Sequence, residues 1–201
     1  YSVVSLFAGL GGICLGFKQA GFKIIWANEK DHSACLTYRH NFGNDYLIEG
    51  DIRNISEAHI PHADILAAGF PCQSFSAAGA GRGFSDPRGT LFFEVIRVAK
   101  AIQPRIVFLE NVENLMEHDN GRTFQTIYSS LVELGYIIRY QAMATHEYAN
   151  IPQTRRRIYI VAFADLELSD RFRFPEPIPL TSGAMECLKL DERKPDIYYY
   201  S

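Results

Sequence analysis

Short apolar runs alternate with amphipathic segments along the first four-fifths of the chain, which predicts an α/β sheet with crossover helices. Val3 to Phe7 reads as a buried strand that breaks into a glycine turn. Ile13 to Ala20 follows as a helix stopped by Gly21. Phe22 to Ala27 predicts a second strand, and Asp31 to Phe42 a second helix with Asp31 as its N-cap. A third strand should end near Gly50-Asp51-Ile52. Asp64 to Ala68 and Arg105 to Leu109 are continuous apolar runs of the kind a parallel sheet buries on both faces. Between them lie a Gly/Ser/Ala-rich loop, Pro71 to Gly89, and a helix, Thr90 to Ile102, ended by Pro104. Thr123 to Leu134 reads as another helix, closed by Gly135. Tyr136 to Ala142 and Arg157 to Phe163 read as a final antiparallel pair. The expected architecture is a mostly parallel sheet with an antiparallel final strand and helices on both faces.

Beyond Phe163 the character changes. Asp165 to Asp170 is acidic, Phe174 to Pro179 is proline-rich, and a tyrosine cluster lies between Pro195 and Ser201. Residues 1–163 therefore read as one domain, and 164–201 as a linker and the start of a further region, with a simple disordered terminus as the alternative. Composition changes this picture little: 47% hydrophobic and 21% charged residues are ordinary for a globular chain of 201. A net charge of -3 excludes a generally basic, histone-like binder but leaves room for a local basic patch. No apolar stretch approaches the ~20 residues of a membrane-spanning helix, and the chain opens into a strand rather than a signal peptide. Cys14, Cys35, Cys72 and Cys187 lie far apart without a CxxC pair. Neither a disulfide framework nor a metal site is expected from them, and the cytoplasm is the expected compartment. The six histidines complete no set of four ligands and read as structural or surface residues.

Candidate chemistry gathers at the strand ends. Phe7-Ala8-Gly9-Leu10-Gly11-Gly12 follows a strand and opens a helix, where glycine lets a ligand approach the backbone. Asn28-Glu29 ends the next strand, at the spacing where an acidic side chain can bind ribose hydroxyls, and Asp51 follows the third. Glycine, Glu and Asp at three strand ends suggest an adenosine-bearing cofactor. Gly69-Phe70-Pro71-Cys72-Gln73-Ser74-Phe75-Ser76 places a cysteine just beyond a buried strand, facing a glycine-rich loop. Its thiol, with a free pKa of about 8.5, needs an electropositive setting to act as a nucleophile, and a buried structural cysteine is the alternative. Glu110, in Phe108-Leu109-Glu110-Asn111-Val112, should emerge on the same sheet edge as Cys72. A thiolate beside a carboxylic acid suits an electron-poor heterocycle: one attacks a ring carbon, the other hydrogen-bonds a ring nitrogen. A helix-capping role for Glu110 is the structural alternative. In Gln153-Thr154-Arg155-Arg156-Arg157, the period of two puts Arg155 and Arg157 on one face, suited to a phosphate or a carbonyl oxygen. A solvated charge run is the alternative there.

Taken together, and with Gly50-Asp51-Ile52 and Arg88-Gly89-Thr90-Leu91-Phe92-Phe93 in order, these segments resemble the cytosine-5 DNA methyltransferases of the bacterial modification type. The resemblance implies a Rossmann-like S-adenosylmethionine-dependent methyltransferase fold. It implies that Phe7, Leu10, Gly11, Glu29, Asp51, Ile52, Pro71 and Leu91 line the S-adenosylmethionine site, with Glu29 on the ribose and Asp51 on the adenine. Cys72 would add to C6 of a flipped-out cytosine, Glu110 would hold N3 and the exocyclic amine, and Arg155 and Arg157 would hold O2 and nearby phosphate. Double-stranded DNA is the implied substrate, with S-adenosylhomocysteine as product and no metal. A cognate restriction endonuclease is a functional, not physical, partner. Members of the family continue into a target-recognition region and return with two further motifs; neither motif is found here, so the chain is expected to be a catalytic core without them. A tRNA cytosine-5 methyltransferase of similar motif order, or a non-catalytic module binding cofactor or DNA, are the competing readings.

Overall fold

Seven strands among the described residues form one sheet, in the spatial order Leu47–Glu49, Lys23–Glu29, Ser2–Leu6, Ile65–Ala68, Ile106–Val112, Arg156–Phe163 and Ile137–Ala144. The computed structural model describes residues 1–71, 91–183 and 185. In chain order the elements are β1 (Ser2–Leu6), α1 (Gly12–Gln19), β2 (Lys23–Glu29), α2 (His32–Phe42), β3 (Leu47–Glu49) and β4 (Ile65–Ala68). They continue with α3 (Leu91–Ile102), β5 (Ile106–Val112), α4 (Arg122–Glu133), β6 (Ile137–Ala144), α5 (Thr145–Tyr148), β7 (Arg156–Phe163) and α6 (Leu166–Arg171). The expected strands and helices are all present, with ends displaced by a few residues.

β1 pairs in parallel with both β2 and β4, β2 with β3, and β4 with β5, whereas β7 runs antiparallel to β5. The chain winds outward from β1 through β2 to β3, then returns past β1 and winds the other way. This reversal lies between β1 and β4, and beyond the carboxyl ends of strands at such a point open α/β sheets bind ligands. The Rossmann-like expectation therefore holds, including the antiparallel late strand.

Alternation along each strand divides the core between the two faces. Val3, Ala27, Ile65 and Ala67 pack with Cys14 of α1 and with Cys35 and Tyr38 of α2. Val4, Leu6, Leu66, Ala68, Val107 and Leu109 pack on the other face against α3 and α4. α3 shows why it docks. Phe92, Val95, Val98, Ala99 and Ile102 recur at helical spacing and are all buried, each larger side chain worth about 1.5–3 kcal/mol of transfer free energy. α2 begins as expected, with Asp31 Oδ1 accepting the Ala34 N–H at 2.7 Å. Cys14 and Cys35 are free and buried, in keeping with a structural role.

Contacts divide the chain into two units: Tyr1–Ala142 with Arg157–Arg173, and Met143–Arg156 with Phe174–Ser201. The first includes α6, N-capped by Asp165, whose Ser169 hydroxyl accepts a hydrogen bond from Arg139 at 3.1 Å. Within the second, Asn150 Oδ1 accepts the N–H groups of Thr181 and Ser182 at 2.7 and 3.1 Å. The Ile178 N–H reaches the Glu147 carbonyl at 2.7 Å.

Candidate active site

The turn after β1 lies at the sheet's reversal and is built from unusual backbone. Phe7, Gly9 and Gly11 have φ of 53°, 54° and 96°, a region that disfavours side chains. At Gly11 there is a second constraint. A Cβ there would collide with the Phe42 ring, so the ring of α2 closes against bare backbone. Gly11 is also the N-cap of α1 and supplies no capping side chain. Leu10 is 61% exposed, whereas Phe7 packs against the core.

Glu29 ends β2 and ties this turn down. Its Oε2 accepts the Gly9 N–H at 2.8 Å, and its Oε1 accepts those of Lys30 and Asp31, both at 2.8 Å. A carboxylate has about four lone-pair positions, so one remains on Oε2 for a hydroxyl donor. Asp51 lies just past β3 and caps the turn Ile52–Asn54. Its Oδ1 accepts the backbone N–H and Nε–H of Arg53 at 3.0 and 2.9 Å. The Arg53 guanidinium holds this carboxyl down, to a pKa of about 2, so Asp51 is an anion with acceptor capacity to spare. Two acidic acceptors and a stretch of bare backbone, on three adjacent strand ends, fit an adenosine moiety. Ile52 is 2% exposed and sits in the main core, so its side chain supports this surface from beneath. Leu91 opens α3 and packs on the same core, and Pro71 is exposed.

Glu110 and Arg157 come together. β5 extends to Val112 because β7 pairs along its whole length, placing Val112 opposite Arg157 and Glu110 opposite Tyr159. Glu110 and Arg157 are then diagonal neighbours, with Arg157 Nε 3.0 Å from Glu110 Oε1 and both side chains 21% exposed. Glu110 Oε2 would lie 3.4 Å from a Cβ built on Gly69, so the carboxylate stands over the exit of β4. It lies within a strand and does not cap a helix; the turn that follows, Glu113–Met116, has Val112 at its N-cap. Cys72 follows Pro71 in sequence and lies outside the described residues.

Arg155 departs from the expected pattern. β7 begins at Arg156, so the alternation that was to align Arg155 with Arg157 does not extend back to Arg155. Its carbonyl instead accepts the N–H and hydroxyl of Thr145, at 2.9 and 3.2 Å, where α5 begins. Arg155 belongs to the second unit and Arg157 to the first.

Two buried asparagines were given no role from sequence. Asn111, 4% exposed, donates to the Phe70 carbonyl at 2.8 Å and accepts the Val112 N–H at 2.8 Å. Asn28, 1% exposed, donates to the carbonyls of Ile48 and Gly50 at 3.1 and 2.9 Å. An amide inside an otherwise apolar strand was the available signal: buried polar groups are nearly always bonded.

The family of C-5 cytosine-specific DNA methylases matches residues 1–198. The chain belongs to that family. It is 49% identical over 201 residues to the type II methyltransferase M.Bsp6I of Bacillus sp. (strain RFL6), covering 99% of this chain and 64% of the relative. It is 45% identical to M.HaeII of Haemophilus aegyptius, covering 100% of this chain and 61% of that protein. The chain thus spans less than two thirds of these relatives' length. A crystal structure of a DNMT2 variant from Spodoptera frugiperda superposes with a TM-score of 0.69 at 22% identity, over 88% of this chain and 53% of that one, which establishes the shared fold. Among the described residues no group of three or more His, Cys, Asp or Glu could hold a metal. No described helix is long and apolar enough to cross a membrane.

Proposed function

We propose that the protein carrying this chain methylates C5 of a cytosine extruded from double-stranded DNA in the cytoplasm, as the modification partner of a restriction endonuclease. Family membership supports the reaction class. The observation that carries the mechanism is the Glu110–Arg157 pair, 3.0 Å apart at the exit of the strand that leads in sequence to Cys72. Residues 1–163 would form the catalytic domain, and 164–201 would lead toward a recognition region.

C5 of cytosine is a poor carbon nucleophile. Addition of the Cys72 thiolate to C6 forms a C–S bond and pushes the ring electrons toward N3, making C5 enamine-like. As the carboxylic acid, Glu110 donates to N3 and accepts from the exocyclic amine, so charge developing at N3 meets a hydrogen bond. Arg157 fixes the Glu110 carboxyl group and would donate to O2 of the base. Arg155 would contact phosphate or O2. S-adenosylmethionine, when bound, supplies an electrophilic sulfonium methyl. Phe7, Leu10, Gly11, Pro71 and Leu91 would border it, with Glu29 on its ribose, Asp51 on its adenine amine and Ile52 beneath. Loss of the C5 proton then lets the thiolate leave, restoring the ring and the free cysteine.

The test uses the full-length protein and the Cys72→Ala variant. Methyl transfer to duplex DNA should vanish while S-adenosylhomocysteine binding, measured by calorimetry, stays near wild type. With S-adenosylmethionine present, a duplex with 5-fluorocytosine at the target should trap the wild type covalently, because fluorine cannot leave as the proton does. Substantial turnover without the thiol, or an adduct mapped to another residue, refutes the assignment.

A further inference from the structure

Arg97 sits midway along α3, 28% exposed, and its guanidinium reaches four acceptors on three segments. Nε donates to Glu94 Oε2 at 2.8 Å and Nη1 to Glu57 Oε2 at 2.6 Å. Nη2 donates to the carbonyls of Ile52 and Ile55 at 3.0 and 3.1 Å. Those two carbonyls belong to the turn that Asp51 caps and to the residue that closes it. From the other side, Asn28 takes the carbonyls of Ile48 and Gly50. Two side chains thus hold four carbonyls between Ile48 and Ile55. The methyl-transfer chemistry uses none of Arg97, Glu57 or Glu94, yet a rigid fork with five N–H donors has nearly all of them engaged.

We propose that Arg97 is a positioning residue for the cofactor: by holding the Ile52 and Ile55 carbonyls it fixes the turn that aims Asp51 at the adenine. The inference rests on the reading that Asp51 takes the adenine. Geometry makes lysine a poor substitute. An ammonium keeps the charge and offers three donors from one point, which cannot span two carbonyls and two carboxylates at once.

The experiment compares full-length wild type with Arg97→Lys. Calorimetry should show S-adenosylhomocysteine bound about tenfold more weakly, the equivalent of one charge-assisted hydrogen bond, with a matching rise in KM for S-adenosylmethionine. At saturating cofactor kcat should stay within about twofold, and affinity for duplex DNA should not change, because Arg97 touches no reacting atom. Without cofactor, amide exchange at Asn54 and Ile55, whose N–H groups bond the carbonyls of Asp51 and Ile52, should accelerate while the β1 and β4 amides keep their protection. Unchanged cofactor affinity in folded Arg97→Lys overturns the proposal, as does a uniform loss of protection with affinity intact. Wild type that binds no S-adenosylhomocysteine refutes the functional reading itself, and this inference with it. Should Arg97→Lys fail to fold, Glu57→Ala removes one anchor of the guanidinium at a half-exposed position. That variant must show the same direction of change, and unchanged affinity there is equally fatal.

Discussion

Asn111→Ala removes the side chain that joins β5 to the exit of β4. Two hydrogen bonds of 2.8 Å disappear, one to the Phe70 carbonyl and one from the Val112 N–H, at a site 4% exposed. Each is worth about 1 kcal/mol net, and the carbonyl of Phe70, a residue 3% exposed, loses that donor, which adds about another 1 kcal/mol. The expected loss is about 3 kcal/mol, a large share of the roughly 5–15 kcal/mol that holds a domain together. Asn111→Asp separates hydrogen bonding from packing. The shape and the Val112 bond survive, but at neutral pH a carboxylate oxygen faces the Phe70 carbonyl where a donor stood. This isosteric change should therefore cost at least as much as alanine. Relative to wild type, the loss should shrink in acid, where a protonated carboxyl can donate again. Urea unfolding at pH 7 and pH 5 measures both variants. Activity provides a second readout: the Phe70-Pro71 segment leads in sequence to Cys72, so kcat should fall about tenfold in the folded fraction of either variant. If Asn111→Asp unfolds within about 0.5 kcal/mol of wild type at pH 7, the amide is not holding the strand exit and the reasoning is wrong.

Gly11→Ala should cost at least about 2 kcal/mol and weaken S-adenosylhomocysteine binding, since φ is 96° and the new methyl would meet the Phe42 ring, stacked 4.6 Å from Tyr38. Thermal unfolding and calorimetry check it, and wild-type stability would refute it. In acid, Asp64 sets a second expectation. Its carboxylate accepts the Ser2 N–H and hydroxyl at 2.7 and 3.0 Å, and these bonds hold its pKa below the ordinary carboxylate range. A depressed carboxylate stabilises the fold above its unfolded pKa of about 3.9 and loses that contribution as pH falls through the lower folded value. Asp64→Asn should therefore be less stable than wild type at pH 7, with the gap narrowing below about pH 4. A gap that stays constant from pH 7 to pH 2 would show that this ionisation does not matter.

The strands and helices were legible because their signals are local: apolar runs, glycine stops, and an Asp31 cap bonded as its spacing implied. Fold class followed from their alternation. What could not be read was the register between strands distant in sequence. Glu110 and Arg157 are each visible as charged residues at the edge of an apolar run, but their contact depends on β7 entering the sheet beside β5, with Val112 opposite Arg157. The alignment expected of Arg155 with Arg157 breaks for the complementary reason. Period-two reasoning assumes that the backbone is in the ladder, whereas the Arg155 carbonyl is committed to Thr145 and the strand starts one residue later. Asn28, Asn111 and Arg97 are polar residues inside apolar patterns, a local inconsistency that marks a site without naming the partner. The partners share a physical logic. Each takes carbonyls from a segment leaving a parallel strand: Phe70 after β4, Gly50, Ile52 and Ile55 after β3. In a doubly wound sheet those departing segments carry the candidate chemistry, and once past the strand they have no ladder to bond their backbone. Side-chain donors from neighbouring elements take over that task. A buried amide or guanidinium near a strand's carboxyl end is thus where the rigidity of the sheet passes into the loops that carry the candidate chemistry.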